Sequence, residues 1–234
     1  MDSNVISIDG LTIGYTKKSP LVEIPSLEIL PGEIIAITGP SGVGKTTLIR
    51  TISGLVRPLH GRVSLFGQPF GIRPPRGSLG YIPQRLGLVR HASVLHNVML
   101  GARAGNSSPY RIFPSRKIKD ISLDSISRMG LSEKIYEPVR KLSGGQQRRV
   151  AIARTIAQSP QIIHADEFLS ELDEKTLEMV TTEVVEFVRK ESATLIVGEH
   201  DVSRARSIAD RMLVIDDGRV NPFISQTTAL EVTK

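Results

Sequence analysis

The sequence predicts an α/β fold: a largely parallel sheet flanked by helices, preceded by an N-terminal antiparallel β subdomain and interrupted by an inserted α-helical subdomain. Three observations carry this. From residue 143 onward helical and strand patterns alternate, the arrangement that builds parallel sheets. Near the N-terminus two stretches alternate apolar with polar residues at strand period. From about residue 88 to 140 the texture changes to a less regular, mostly helical one.

Taken in order, Val5 to Tyr15 and Leu21 to Leu30 read as antiparallel strands, broken at Asp9-Gly10 and at Pro20 and Pro25. Glu33 to Thr38 is a short apolar strand running into a glycine-rich turn. Leu48, Ile49, Ile52 and Leu55 then recur at helical spacing, with Gly54 near the helix end. Within the insertion, Gly101, Gly105 and an Asn106-Ser107-Ser108-Pro109 loop mark irregularity, while Ile118, Ile121, Leu123, Ile126 and Met129 follow a helical pattern. After Ser143 come a helix, a strand at Gln161 to Ala165, a helix at Glu174 to Lys190, a strand at Thr194 to Val197, a helix at Val202 to Ala209 and a strand at Met212 to Ile215. Asp216-Asp217-Gly218 reads as a hairpin turn. Residues 1–234 are expected to form one domain, and Asn221 to Lys234 are too few for a regulatory one.

The 234 residues, 40% hydrophobic and 23% charged, suit a single compact unit. Cysteine is absent, which excludes disulfides, a thiol nucleophile and cysteine-ligated zinc or iron–sulfur sites. No apolar run approaches the ~18 residues of a membrane span, and the start MDSNVISIDG lacks the regions of a signal peptide, so a soluble cytoplasmic protein is expected. The net charge of +6 admits nucleic acid or anionic lipid as partners. The basic residues are scattered, however, and only 4% of the chain is aromatic, so no platform for stacking bases stands out.

Gly39-Pro40-Ser41-Gly42-Val43-Gly44-Lys45-Thr46 fits the phosphate-loop pattern, between a predicted strand and a predicted helix. Its glycines let successive N–H groups face phosphate oxygens at the positive end of the helix. Lys45 would hold the β- and γ-phosphates, and the Thr46 hydroxyl would ligate Mg²⁺; Thr47 follows in the same turn. Alone, this motif implies only a nucleoside triphosphate.

Ile162 to Glu167 is an apolar strand ending in two carboxylates. Asp166 would lie at the carboxyl edge of the sheet and reach the metal through water, and Glu167 would be the base or water-positioner. A solvated pair opening a helix is the alternative for this segment alone. His164, unusual in such a strand, reads as a buried, hydrogen-bonded histidine. Leu142-Ser143-Gly144-Gly145-Gln146-Gln147-Arg148-Arg149 opens the next helix and offers a hydroxyl, bare amides and a helix dipole: a second anion cradle. One nucleotide cannot easily use two distant cradles in one chain, whereas a second copy facing the first would supply the missing half.

With this Leu-Ser-Gly-Gly-Gln segment the chain resembles the ATP-binding subunits of ABC transporters, from about Ile6 to Val220. The resemblance implies a P-loop NTPase (RecA-like) core, ATP and Mg²⁺ as cofactors, and ATP hydrolysis coupled to transport. It implies that Tyr15 stacks on adenine, and that Gln84 in Tyr81-Ile82-Pro83-Gln84 reaches the metal and couples to a membrane permease. It implies that Asp173 crosses a dimer interface and that His200 contacts the γ-phosphate. Catalysis then involves Glu167, His200, Lys45 and Gln84; metal binding involves Thr46, Gln84 and Asp166. Ser143, Gly144, Gly145 and Gln146 face the ATP of the opposing subunit, either a second copy or a homologous ATPase subunit. The chain departs from the family at Phe168-Leu169, where proline and threonine are usual, whereas Arg148-Arg149 stands where Gln-Arg is common and reads as unremarkable. Leu88 to Gly101 and Ile112-Phe113-Pro114 are similar to phosphonate-importer ATPases, which implies import, a solute-binding protein and a phosphonate-like anion. A soluble ABC ATPase acting on nucleic acid or the ribosome is the alternative; a stand-alone P-loop kinase or GTPase leaves the Leu-Ser-Gly-Gly-Gln segment unexplained.

Overall fold

The computed structural model describes residues 4–106, 115–170, 172–216 and 218–223. The chain begins with strands β1 (Ile6–Thr16), β2 (Ser19–Ile29) and β3 (Ile34–Thr38), then helix α1 (Lys45–Ile52). Strands β4 (His60–Leu65), β5 (Gln68–Pro69) and β6 (Leu79–Ile82) follow, then helices α2 (Val94–Asn106), α3 (Arg116–Arg128) and α4 (Gly144–Gln158). The remainder is β7 (Ile162–Asp166), α5 (Glu174–Glu191), β8 (Thr194–Gly198), α6 (Val202–Ile208), β9 (Arg211–Asp216) and β10 (Arg219–Phe223).

Every residue of β3, β7 and β8 is buried, which suits strands covered on both faces by helices. With β9 and β6 they form the parallel half of one sheet, ordered β5-β4-β1-β2-β10-β9-β3-β8-β7-β6. β1, β2, β4 and β5 form the antiparallel half, and β10 joins the halves by pairing antiparallel with β9 and parallel with β2. Two apolar clusters lie on the sheet. One packs Leu48, Ile49 and Ile52 of α1 against β1, β2 and β3; the other gathers α2, α3, α4 and α5 around Phe168, Val150 and Ile163. Because the parallel strands run together, the segments after β3, β7 and β8 all emerge at one edge, where ligands of open α/β sheets bind.

Several local expectations needed correction. β2 runs unbroken through Pro20 and Pro25. Pro20 sits at a register shift opposite Gly14, and Pro25 falls between the pairs Ile24↔Leu11 and Ser26↔Asp9, so neither deprives a ladder of its N–H. β4, β5 and β6 were not legible: they are short, and β4 opens with the exposed residues His60, Gly61 and Arg62. Gly101 and Gly105 do not interrupt structure but lie inside α2, where an added Cβ would collide with the carbonyl oxygens of Arg154 and Gln158 on α4. Their role is close helix approach. Asn106 ends α2 and donates to the Ala102 and Ala157 carbonyls; the rest of the expected loop, and Ile112-Phe113-Pro114, lie outside the described residues.

His164 sits in the middle of β7 between Tyr81 and Ile196, fully buried as expected. The expected hydrogen bond is not there: among the described residues neither ring nitrogen has a partner. Burial pushes the imidazole pKa down to about 3. The unfolded chain therefore binds a proton here between about pH 6.5 and 3 that the native state does not, so this contribution is intact above pH 6.5 and is lost as the pH falls. Replacing His164 by Leu removes that penalty. In urea unfolding, the His164→Leu variant is expected to gain about 2 kcal/mol relative to wild type between pH 7 and pH 5; an unchanged difference would refute the unpartnered histidine.

Candidate active site

The phosphate loop leaves β3 with Gly39 at φ 147°, and a Cβ there would stand 2.6 Å from the Ile215 carbonyl oxygen. Only glycine fits that approach. At the far end Gly44, at φ 113°, starts α1 without any side-chain cap, so the first amides of the helix remain available to an anion. Lys45 bends back over the loop, its Nζ donating to the carbonyls of Gly39 at 2.7 Å and Pro40 at 2.9 Å, and standing 3.3 Å from His200 Nδ1. Burial lowers the pKa of its ammonium, and the carboxylates of Glu167 and Asp166 oppose that shift. Val43 packs against the apolar cluster of β1 and β2.

Asp166 closes β7, and its Oδ2 accepts a 2.8 Å hydrogen bond from Thr46 Oγ1, tying the strand to α1. Glu167 then turns sharply, with φ 52°. A left-handed conformation costs a non-glycine residue about 1–2 kcal/mol and persists only where the surroundings impose it. Here its N–H donates to the Gly198 carbonyl at 2.9 Å, and its own carbonyl accepts from Arg148 Nη1 at 2.7 Å and Ser170 Oγ at 3.0 Å. The turn aims the Glu167 carboxylate back at the phosphate loop. There it accepts from Gln84 Nε2 at 2.9 Å and pairs with His200 Nε2, while His200 Nδ1 stands 3.3 Å from Lys45 Nζ.

These groups line one open cleft of about 310 Å³: Tyr15, Ser41, Gly42, Gly44, Lys45, Thr46, Thr47, Gln84, Glu167 and His200. Tyr15, 80% exposed at the end of β1, stands at its rim. The cleft thus joins residues from distant parts of the chain, and its polar walls are those of a phosphate-loop nucleoside triphosphatase. Ser143, Gly144, Gly145, Gln146 and Asp173 are not among its lining residues. Ser143 caps α4 in a capping box: its Oγ accepts from Gln146 N–H at 3.3 Å and its N–H donates to Gln146 Oε1 at 3.1 Å. Ser143 and Gly144 are exposed. Asp173 caps α5, accepting from Thr176 N–H at 3.0 Å and Thr176 Oγ1 at 2.7 Å, which lowers its pKa.

Three residues around the Glu167 turn escaped the sequence reading. Arg148, taken as unremarkable, is 3% exposed and reaches the Glu167 carbonyl. Glu199 is 4% exposed; burial pushes its carboxyl up to about 7, against the Leu169 amide and Arg204, which lower it. Arg204 also donates to the Leu169 carbonyl at 3.4 Å. A charged residue inside an otherwise apolar helix face at Arg148 was the available signal; Glu199, next to the expected His200, offered none.

Comparison with known proteins shows the family to which the chain belongs. The family model described as "ABC transporter" matches residues 22–170. The chain is 38% identical over 226 residues to the Phosphonates import ATP-binding protein PhnC 2 of Cupriavidus metallidurans, covering 94% of this chain and 81% of that one. It is 36% identical over 205 residues to the L-cystine transport system ATP-binding protein TcyN of Escherichia coli, covering 83% and 80%. Among solved structures, the ATP-binding cassette MJ0796 in a dimeric post-hydrolysis state bound to ADP and Pi superposes with a TM-score of 0.82 at 26% identity, covering 94% of this chain and 99% of that one. The chain belongs to the ABC transporter family, as one of its ATP-binding, ATP-hydrolysing subunits.

Lys45 is held in place before any nucleotide arrives and no other buried ammonium lines the cleft among the described residues. Lys45→Ala is expected to lower ATP turnover by roughly 10²-fold or more, the scale of losing one charge-stabilising group at a reacting centre. Wild-type hydrolysis by that variant would refute the cradle.

Proposed function

We propose that the chain works as a head-to-tail pair of copies, or with a homologous ATPase subunit, closing around two ATP molecules to drive a separate membrane permease in import. The observation that supports this is the displacement of the Ser143 helix start from the cleft: an exposed anion cradle is left facing outward while the nucleotide cleft stays open. The structures similar to this chain include a cassette described as dimeric with ADP and Pi bound.

In this reading the loop amides and Lys45 hold the phosphates of one ATP, Tyr15 stacks on its adenine, and Ser143, Gly144, Gly145 and Gln146 of the opposing copy cover it. Asp173 lies at the pair's interface. Mg²⁺ fits the donors present, since Thr46 and Gln84 line the cleft and the Asp166 carboxylate lies behind Thr46, accepting from its hydroxyl; hydroxyl, amide and carboxylate oxygens are the hard ligands this ion selects. When bound it would neutralise charge developing between the β- and γ-phosphates. Glu167 orients the attacking water and takes its proton, and His200 holds both that carboxylate and the γ-phosphate side of the site. Catalysis is therefore positioning and charge stabilisation.

Helices α2 and α3, within the stretch 88–140, belong to the helical subdomain that meets the permease, with Gln84 at its root. No helix of the described residues is long and apolar enough to cross a membrane; in this reading a permease subunit spans it, and the ATPase subunit sits peripherally on the cytoplasmic face. The phosphonate-import names of several relatives support a phosphonate-like anion delivered by a solute-binding protein. The nucleic-acid alternative has no observation in its favour.

Glu167→Gln removes the base while keeping the shape of the site. Light scattering of this variant with ATP and Mg²⁺ is expected to give a stable dimer mass, with steady-state turnover at least 10²-fold down. A monomer at saturating ATP, or wild-type turnover, would overturn the reading.

A further inference from the structure

We propose that Arg148 is a positioning residue for Glu167, tying the helix that begins at Ser143 to the carboxylate in the chain's own nucleotide cleft. This rests on the assignment of Glu167 made above.

Burying a guanidinium is costly unless its donors are used, and Arg148 is almost wholly withdrawn from water. Its Nη1 donates to the main-chain carbonyl of Glu167 at 2.7 Å, so it bears on the backbone turn itself. That turn needs fixing. Glu167 is held at φ 52°, and in that conformation its carboxylate reaches Gln84 and His200. A proline at position 168 would restrict the preceding residue to extended backbone; Phe168 leaves it free to adopt the left-handed turn, and Phe168 and Leu169 are instead buried as apolar anchors.

Arg148 also connects two surfaces. It lines a groove of about 340 Å³ together with Gly144 at the start of α4 and Gln84 at the rim of the cleft. One turn of α4 separates Gly144 from Arg148, so a displacement of the helix start is carried to the Glu167 carbonyl through a single side chain. In a composite dimer, the helix end that covers the partner's nucleotide would then bear directly on the water-orienting group of its own site.

The test is ATP hydrolysis by the full chain, with Arg148→Gln, Arg148→Lys and Glu167→Gln alone and with Arg148→Gln combined with Glu167→Gln, measured in steady state and single turnover. Arg148→Gln is expected to lower kcat about tenfold with KM for ATP within about twofold, and Arg148→Lys, which keeps the charge and a donor, to recover most of it. In the Glu167→Gln background, Arg148→Gln is expected to change single turnover no further. Undiminished kcat in Arg148→Gln, a full tenfold loss that persists in the Glu167→Gln background, or failure of both Arg148 variants to fold would overturn the proposal and leave Arg148 a structural residue. Wild-type turnover in Glu167→Gln alone would instead remove the assignment of Glu167 itself.

Discussion

The charge of a bound triphosphate must be met on every side that water leaves, and this constraint organises the rest of the molecule. The cleft meets it from below with the amides opening α1 and with Lys45, which is already satisfied by the Gly39 and Pro40 carbonyls. Parallel strands make this possible: β3, β7 and β8 bring three segments far apart in sequence, the phosphate loop, Asp166-Glu167 and Glu199-His200, to one edge. The opposite side of the cleft is open, and the chain's other phosphate-binding candidate, the exposed start of α4 capped by Ser143, is not among its lining residues. The proposed pairing of two chains would answer that imbalance as a matter of electrostatics as much as of shape.

Around this edge the chain accepts costs that elsewhere would be avoided. Glu167 adopts a left-handed turn, Arg148 and Glu199 are charged groups nearly removed from water, and His164 is a polar ring with nothing to bond among the described residues. The first three belong to one local arrangement, in which the segment 167–170 is held through its backbone: Arg148 on the Glu167 carbonyl, Glu199 on the Leu169 amide, Arg204 on the Leu169 carbonyl. Buried charges used on backbone atoms fix direction more than they add stability. His164 has no such use here, and its burial is a cost without a visible return.

Much of this was legible in the residues. The phosphate loop, the carboxylate strand and the start of α4 carry their chemistry in consecutive positions, so a linear reading finds them and places them on the right elements. Apolar strands and amphipathic helices of the parallel half were found for the same reason, their periods being local. What failed was information held between distant segments. Gly101 and Gly105 looked like breaks because their partners, the Arg154 and Gln158 carbonyls, lie far along the chain. Arg148 read as unremarkable because its acceptor is a main-chain oxygen of a segment nineteen positions on, and only its place on an apolar helix face hinted at burial. β4, β5 and β6 are too short or too polar to show a period, and Pro25 looked like a stop because the register that excuses it is set by β1.

The central claim is that each cleft is completed by the Ser143 helix start of another chain. The absence of native cysteine permits a direct measurement: Ser41→Cys on one chain and Ser143→Cys on a differently tagged chain, treated with a short bis-maleimide cross-linker in the presence and absence of ATP. A cross-link between the two chains that strengthens with ATP is expected. A cross-link that does not form, that ignores ATP, or that forms within one chain carrying both cysteines would contradict that claim.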